Sequence, residues 1–295
     1  MLVTMKEMLA DAREKKYAIP AFDVSNYEMI KAVIDVCEEE RSPALFMGLK
    51  GDLQNKGIKF ITAMVNEAAK QYTVPVCLHL DHATELEDIK EAIDNGFSSV
   101  MFDGSVLPFE ENAARTLEVT KYAHARGVTV EAELGHVGNA ISGDGEDILA
   151  KDSSAKVDNP EDTLTDPEEV KKFIEITDVD ALAVAVGTSH GVYRSTPTLR
   201  IDRLIEINNV SKSPLVLHGG SGTPDDQVKD AIAHGITKIN IYSEVLHGLN
   251  TGLRDKLNSI QNMSMWPMYV YEDANERMRE VIRNKISTFG SAGRV

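Results

Sequence analysis

A chain of 295 residues, 42% hydrophobic and 26% charged, is long enough to bury a large core and too apolar to be disordered throughout. Its length suits two ordinary domains or one eight-unit α/β barrel. With 31 Lys+Arg against 47 Asp+Glu the net charge is −16, which excludes a general attraction to nucleic acid or an anionic membrane, so an anionic ligand must be bound locally.

The first seventeen residues carry Lys6, Glu7, Asp11, Arg13, Glu14, Lys15 and Lys16, unlike a secretory signal, and no apolar run reaches membrane-spanning length. Two cysteines, Cys37 and Cys77, in apolar contexts fit a reducing compartment and a cytoplasmic location rather than a disulfide framework.

Short apolar, β-branched segments alternate with stretches of helical period, the pattern of a parallel sheet covered by helices. In chain order the predicted strands are 18–24, 44–49, 76–81, 99–104, 129–135, 181–187, 215–219 and 238–242. Between them, helices are predicted at 27–40, 86–95, 110–125, 167–177, 201–208 and 225–234. In the first, Met29, Ile30, Val33, Ile34 and Cys37 recur at helical spacing. Asp166 before Pro167 and Thr223 before Pro224 are helix starts, and Gly96, Gly127 and Gly235 fall where helices should end.

Eight such units favour a closed (β/α)8 TIM barrel over an open doubly wound sheet, with 1–295 forming one domain. Residues 138–165, rich in Asp, Ser, Gly and Asn without apolar periodicity, read as a mobile loop after the fifth strand, either a lid or a solvated insertion. Beyond 245 a C-terminal extension is expected, with helices at 245–257 and 273–289. The apolar joint between them, at 263–271, would pack on the barrel or on another subunit.

In a parallel barrel all strand C-termini point to one end, and the polar residues obey that rule. Strand three ends in Asp81 and His82, strand four at Asp103, and strand five carries Glu131 and Glu133. Strand six leads to His190 and Gly191, strand seven to His218, Gly219, Gly220 and Ser221, and strand eight to Asn240 and Ser243. A lone histidine is more often a hydrogen-bonding core residue than a ligand. Three at the tops of strands three, six and seven, His82, His190 and His218, instead describe a catalytic zinc site with an open fourth position. Asp81, adjacent to His82, is a candidate acid or base, or a group that orients the histidine. His79, His124, His136, His234 and His247 are read as structural or surface residues. The turns 187–191 and 218–222 let the backbone approach an anion, and with Ser221, Asn240 and Ser243 they form a candidate phosphate corner.

Taken in order, Ala18-Ile-Pro-Ala-Phe-Asp-Val, Asp81-His-Ala, Ser99-Val-Met-Phe-Asp-Gly-Ser, Glu131-Ala-Glu-Leu-Gly, Gly187-Thr-Ser-His-Gly, His218-Gly-Gly-Ser-Gly and Lys238-Ile-Asn-Ile resemble the class II ketose-bisphosphate aldolases, the fructose- and tagatose-bisphosphate aldolase family, over nearly the whole chain. The resemblance implies zinc on His82, His190 and His218, with Asp81 donating a proton to the aldehyde oxygen during condensation. It places the phosphate of dihydroxyacetone phosphate near Gly191, Gly219, Ser221 and Ser243, and Asn240 against the three-carbon unit. Asp103 and Glu133 match a second, weaker cation position or serve as groups that support a ligand. It also implies a homodimer or homotetramer. A Schiff-base aldolase would need a buried lysine on a strand, and strand six has none, which favours the metal route.

Three departures concern the aldehyde end. The family's members acting on fructose bisphosphate usually have Asn where this chain has Asp23, a serine where it reads Met47-Gly-Leu-Lys50, and an arginine near the last helices where it reads Trp266-Pro-Met268. Losing a bidentate arginine removes a partner for a second phosphate, so the expected substrate keeps the dihydroxyacetone phosphate half but differs in the aldehyde half. Lys50, Arg194 or a neighbouring subunit remain candidate cations. A metal-dependent epimerase or hydrolase, and a sugar-phosphate-binding barrel without turnover, are the alternatives.

Overall fold

The computed structural model describes residues 1–138, 163–191, 193 and 196–295. Its elements run α1 (Met5–Lys15), β1 (Ile19–Asp23), α2 (Tyr27–Glu40), β2 (Ala44–Leu49), α3 (Lys50–Leu53), α4 (Gly57–Gln71), β3 (Val76–Ala83), α5 (Leu86–Asp94), β4 (Ser99–Phe102), α6 (Phe109–His124) and β5 (Thr129–Leu134). They continue with α7 (Pro167–Thr177), β6 (Ala181–Val184), α8 (Ile201–Val210), β7 (Leu215–Leu217), α9 (Asp225–Ala233), β8 (Ile236–Ile241), α10 (Ser243–Ser259), α11 (Pro267–Val270) and α12 (Glu272–Phe289). The strands pair in parallel in sequence order, and β8 returns to β1, closing the barrel.

All eight predicted strands exist, most shortened at the C-terminal end where the chain leaves the sheet for the site. Along each strand the side chains alternate with a period of two. Phe22, Phe46, Leu78, Val100, Val130, Leu182, Leu215 and Ile239 join the core shared with the surrounding helices. Ile19, Ala21, Leu45, Met47, Cys77, Ala181, Ala183 and Val216 fill the barrel interior. The alanines of β6 have a specific effect: Ala181 and Ala183 stand opposite Glu131 and Glu133 of β5. Their small side chains leave interior room for two glutamates.

Two substantial helices lie outside the sequence prediction. Helix α1 starts in a capping box, where Thr4 N–H donates to Glu7 Oε2 at 2.7 Å, and its Met5, Met8, Leu9 and Ala12 pack onto the interior residues. It plugs the end of the barrel opposite the strand C-termini, each large side chain contributing about 1.5–3 kcal/mol of burial. Helix α4 buries Ile58, Ile61, Val65, Ala68 and Ala69.

Of the predicted loop at 138–165, residues 139–162 lie outside the described residues, as does Arg194. At its far end Asp166 caps α7, its carboxylate accepting from Glu168 N–H at 2.9 Å as expected of Asp before Pro. In the joint at 263–271, Tyr271 packs against the core, whereas Met263, Trp266, Met268 and Tyr269 are all more than half exposed. Both cysteines are unpaired and buried. Among the described residues no helix is long and apolar enough to cross a membrane.

Candidate active site

Strand β3 delivers two consecutive residues to one cavity, which a regular strand cannot do because neighbours point to opposite faces. A register shift between Leu80 and Ala83 against β4 inserts one extra residue, and His82 takes a left-handed backbone conformation at φ 48°. Asp81 and His82 therefore both look inward, with Asp81 Oδ2 3.9 Å from His82 Nε2.

His190, after β6, and His218, after β7, complete the cluster. Ring centroids are 4.8 Å apart for His82 and His190, 4.7 Å for His82 and His218, and 5.7 Å for His190 and His218. One ring nitrogen from each lies within 4.8 Å of the others. His82 Nε2 and His218 Nδ1 face each other at 3.0 Å, close to the separation of about 3.3 Å for two nitrogens bound tetrahedrally at about 2.0–2.1 Å from zinc.

The remaining ring nitrogens of His82 and His218 are held by carboxylates. Asp103 Oδ2 sits 2.8 Å from His82 Nδ1, and Glu131 Oε1 sits 2.8 Å from His218 Nε2. If each of those nitrogens donates, the lone pairs of His82 Nε2 and His218 Nδ1 point at the common centre, an arrangement that fixes the tautomer of a metal-binding histidine. His190 Nε2 and Glu133 Oε2 are buried without a hydrogen-bond partner. Two orphaned buried atoms beside converging imidazoles fit a cation.

The electrostatics follow from the same contacts. Burial lowers the His82 pKa, but Asp81, Asp103 and Glu133 outweigh it and raise it to about 10. Without a cation, His82 is thus an imidazolium that donates from both nitrogens. Burial, followed by the neighbouring His82 charge, holds His190 and His218 well below the ordinary histidine range. Burial and Asp103 push Glu133 well above the usual carboxylate range. Asp103 feels burial too, yet His82 and Ser105 hold it down.

Asn240 Nδ2 reaches both oxygens of Asp81 at 3.3 Å, while its Oδ1 is buried with no hydrogen bond. Gly219 and Gly220 form a turn that only glycine fits: Gly219 has φ 64°, and a Cβ there would lie 2.3 Å from Ser189 O. A Cβ on Gly220 would meet Ile239 Cγ2 at 2.3 Å. Ser221 Oγ accepts from the Tyr242 and Glu244 amides at 3.2 and 3.4 Å, joining the turn to the start of α10. Gly191, Ser221 and Ser243 line one cavity of about 970 Å³. Asp23, 4% exposed, ends β1.

Several participants were not singled out from sequence. Below the histidines, Lys238 of β8, fully buried, donates to both oxygens of Glu131 at 2.9 and 3.2 Å. Its signal in the sequence is a lysine inside the isoleucine-rich segment of strand eight. Because Lys238 is engaged by Glu131, it is not presented as a free amine to the cavity. His79 is buried beside this pair, its Nδ1 2.7 Å from Ser99 Oγ. His247 is exposed, as expected of a surface residue, and also lines the cavity of the glycine turns. Tyr193 accepts from Ser189 N–H and donates to Gly219 O, bridging the two turns.

Comparison with known proteins agrees with this geometry. Residues 3–294 match the family described as "Fructose-bisphosphate aldolase class-II". The chain belongs to that family. It is therefore an enzyme of the lyase class, an aldolase of the class II type. It is similar to the YdjI aldolase of Escherichia coli K12, at 34% identity over 100% of this chain and 99% of that one, with a TM-score of 0.85. It is also similar to a candidate fructose-1,6-bisphosphate aldolase from Coccidioides immitis, at 29% identity over 98% and 97% of the two chains, with a TM-score of 0.85. The Campylobacter jejuni fructose-bisphosphate aldolase Fba, 22% identical over 99% and 96% of the chains with a TM-score of 0.79, shares the fold.

Proposed function

We propose that this aldolase is zinc-dependent, that His82, His190 and His218 hold the ion, and that it reversibly cleaves a phosphorylated ketose into dihydroxyacetone phosphate and an aldehyde. The convergence of three ring nitrogens within 4.8 Å, with His190 Nε2 buried and partnerless, carries the reading. When bound, the cation supplies electrostatic stabilisation for the charge that develops on the ketone-derived fragment as the carbon-carbon bond breaks.

The protein's own groups do the rest. Asp103 and Glu131 keep the lone pairs of His82 and His218 aimed at the centre. Asp81, held by Asn240, takes the proton from the hydroxyl that becomes the aldehyde and returns it in condensation. Asn240 Oδ1 accepts from a hydroxyl of the three-carbon unit. Gly191, Gly219, Gly220, Ser221 and Ser243 hold the phosphate through backbone amides and hydroxyls, which suits a chain of net charge −16. Asp103 and Glu133 offer a second, weaker cation position with His82; the orphaned Glu133 oxygen supports it, whereas the engagement of Asp103 by His82 supports an orienting role.

At the aldehyde end the substrate meets a buried carboxylate, Asp23, near the top of a strand pair whose other member contributes the apolar Met47. Lys50, the nearest candidate cation after β2, lies 2.7 Å from Asp88 in an ion pair. These features favour an aldehyde half without a terminal phosphate. Exposed Met263, Trp266, Met268 and Tyr269 support a contact in a homodimer or homotetramer, and two unpaired cysteines support a cytoplasmic location.

A screen of phosphorylated ketoses for release of dihydroxyacetone phosphate tests the proposal. Release abolished by a chelator and restored by zinc is expected, with monophosphates turned over faster than fructose 1,6-bisphosphate. Chelator-insensitive release overturns the metal route, and a strong preference for the bisphosphate overturns the substrate assignment.

A further inference from the structure

Helix α12 packs on the barrel through Met278, Ile282 and Ile286, yet the same buried face carries a lysine. Lys285 is 6% exposed, an expensive place for an ammonium unless its charge is answered. Its Nζ lies 2.6 Å from Glu244 Oε2 in the first turn of α10. The other oxygen, Glu244 Oε1, accepts from Gly222 N–H at 3.1 Å. Lys285, Glu244 and Gly222 line the same cavity of about 970 Å³ as Gly191, Ser221 and Ser243. The other cationic side chain among the described lining residues, the guanidinium of Arg277, lies 2.9 Å from Asp255 in an ion pair.

A carboxylate beside a phosphate corner is an electrostatic conflict, because like charges in a partly desolvated cavity repel strongly. Glu244 nonetheless gives the Gly222 amide its acceptor and ties the turn to α10. A buried cation on its far oxygen resolves the conflict by cancelling the charge and leaving the hydrogen bond intact. We infer that Lys285 is a positioning residue for substrate phosphate: it neutralises Glu244, so that the glycine turn is held by a carboxylate that does not repel the ligand. The inference rests on the phosphate corner of the proposed function. A merely structural ion pair between α10 and α12 would affect stability and leave phosphate affinity alone.

The test is calorimetric titration of the zinc-loaded wild type, Lys285→Met, Lys285→Arg, Glu244→Gln and the double variant Lys285→Met/Glu244→Gln. The ligands are dihydroxyacetone phosphate and inorganic phosphate, and KM and kcat are measured in parallel. Lys285→Met should bind both ligands about tenfold or more weakly, with the loss in KM rather than kcat. Lys285→Arg should bind like wild type, Glu244→Gln at least as tightly, and the double variant should regain most of the loss. Wild-type affinity in Lys285→Met overturns the inference. So does a double variant as weak as Lys285→Met, which would make Lys285 a direct phosphate ligand. If Lys285→Met does not fold, weaker binding by Glu244→Gln overturns it equally. A wild type that binds neither ligand overturns the phosphate corner and this inference with it, whereas binding unaffected by the lysine overturns the inference alone.

Discussion

Glu131→Gln isolates what the buried layer beneath the histidines does. Glu131 is fully buried, answers the Lys238 ammonium at 2.9 and 3.2 Å, and accepts from His218 at 2.8 Å. The substitution keeps the shape but removes the charge, leaving a buried ammonium without its counterion, which costs about 3–5 kcal/mol. At this chain length that lowers the melting temperature by roughly 5–10 °C. The weaker acceptor also loosens His218, reducing metal affinity by about 10–100-fold. Adding Lys238→Met removes the stranded charge, so the double variant should melt well above the additive expectation while its metal affinity stays low. Thermal melts of metal-free protein and competition with a chromophoric chelator read the two effects separately. Additive melting shifts, or zinc affinity within twofold of wild type in Glu131→Gln, would refute the reasoning.

Other predictions follow from the same geometry. Asp81→Asn should keep its zinc but lose about 10²–10⁴-fold in kcat, measured by coupled assay of dihydroxyacetone phosphate; unchanged kcat rules out Asp81 as the proton carrier. Asp103→Asn removes the acceptor at His82 Nδ1 and should weaken zinc binding by about 10–100-fold, read by chelator competition. Because the metal-free His82 pKa is raised to about 10, that site holds a proton at neutral pH that the ion must displace. Zinc affinity should therefore rise with pH up to that value, with release of roughly one proton per ion, measured by titration calorimetry in buffers of different ionisation enthalpy; binding without proton release contradicts the assignment.

The strands and the polar rim were legible because both rest on local pattern: β-branched runs of fixed length, and hydrophilic residues at their C-terminal ends. Their exact ends were less so, since β6 stops at Val184 where the apolar run continues to Val186. Helix α1 is less legible because its many charged residues mask the apolar face of Met5, Met8, Leu9 and Ala12, although Thr4 and Glu7 carry a capping signal. The three histidines could be read as one cluster because closure of a barrel brings strand ends together whatever their separation in sequence. The partners beneath them could not, since Glu131 and Lys238 meet only across the interior, 107 residues apart. Nor does sequence show that a bulge at His82 turns Asp81 and its neighbour to one side.

The most direct measurement is zinc content by mass spectrometry after equilibrium dialysis of wild type and of His82→Ala, His190→Ala and His218→Ala, beside release of dihydroxyacetone phosphate from the best ketose phosphate. One tightly held ion per wild-type chain, lost together with cleavage in every histidine variant, is predicted. Full zinc content or full cleavage after removal of any one of the three contradicts the shared site.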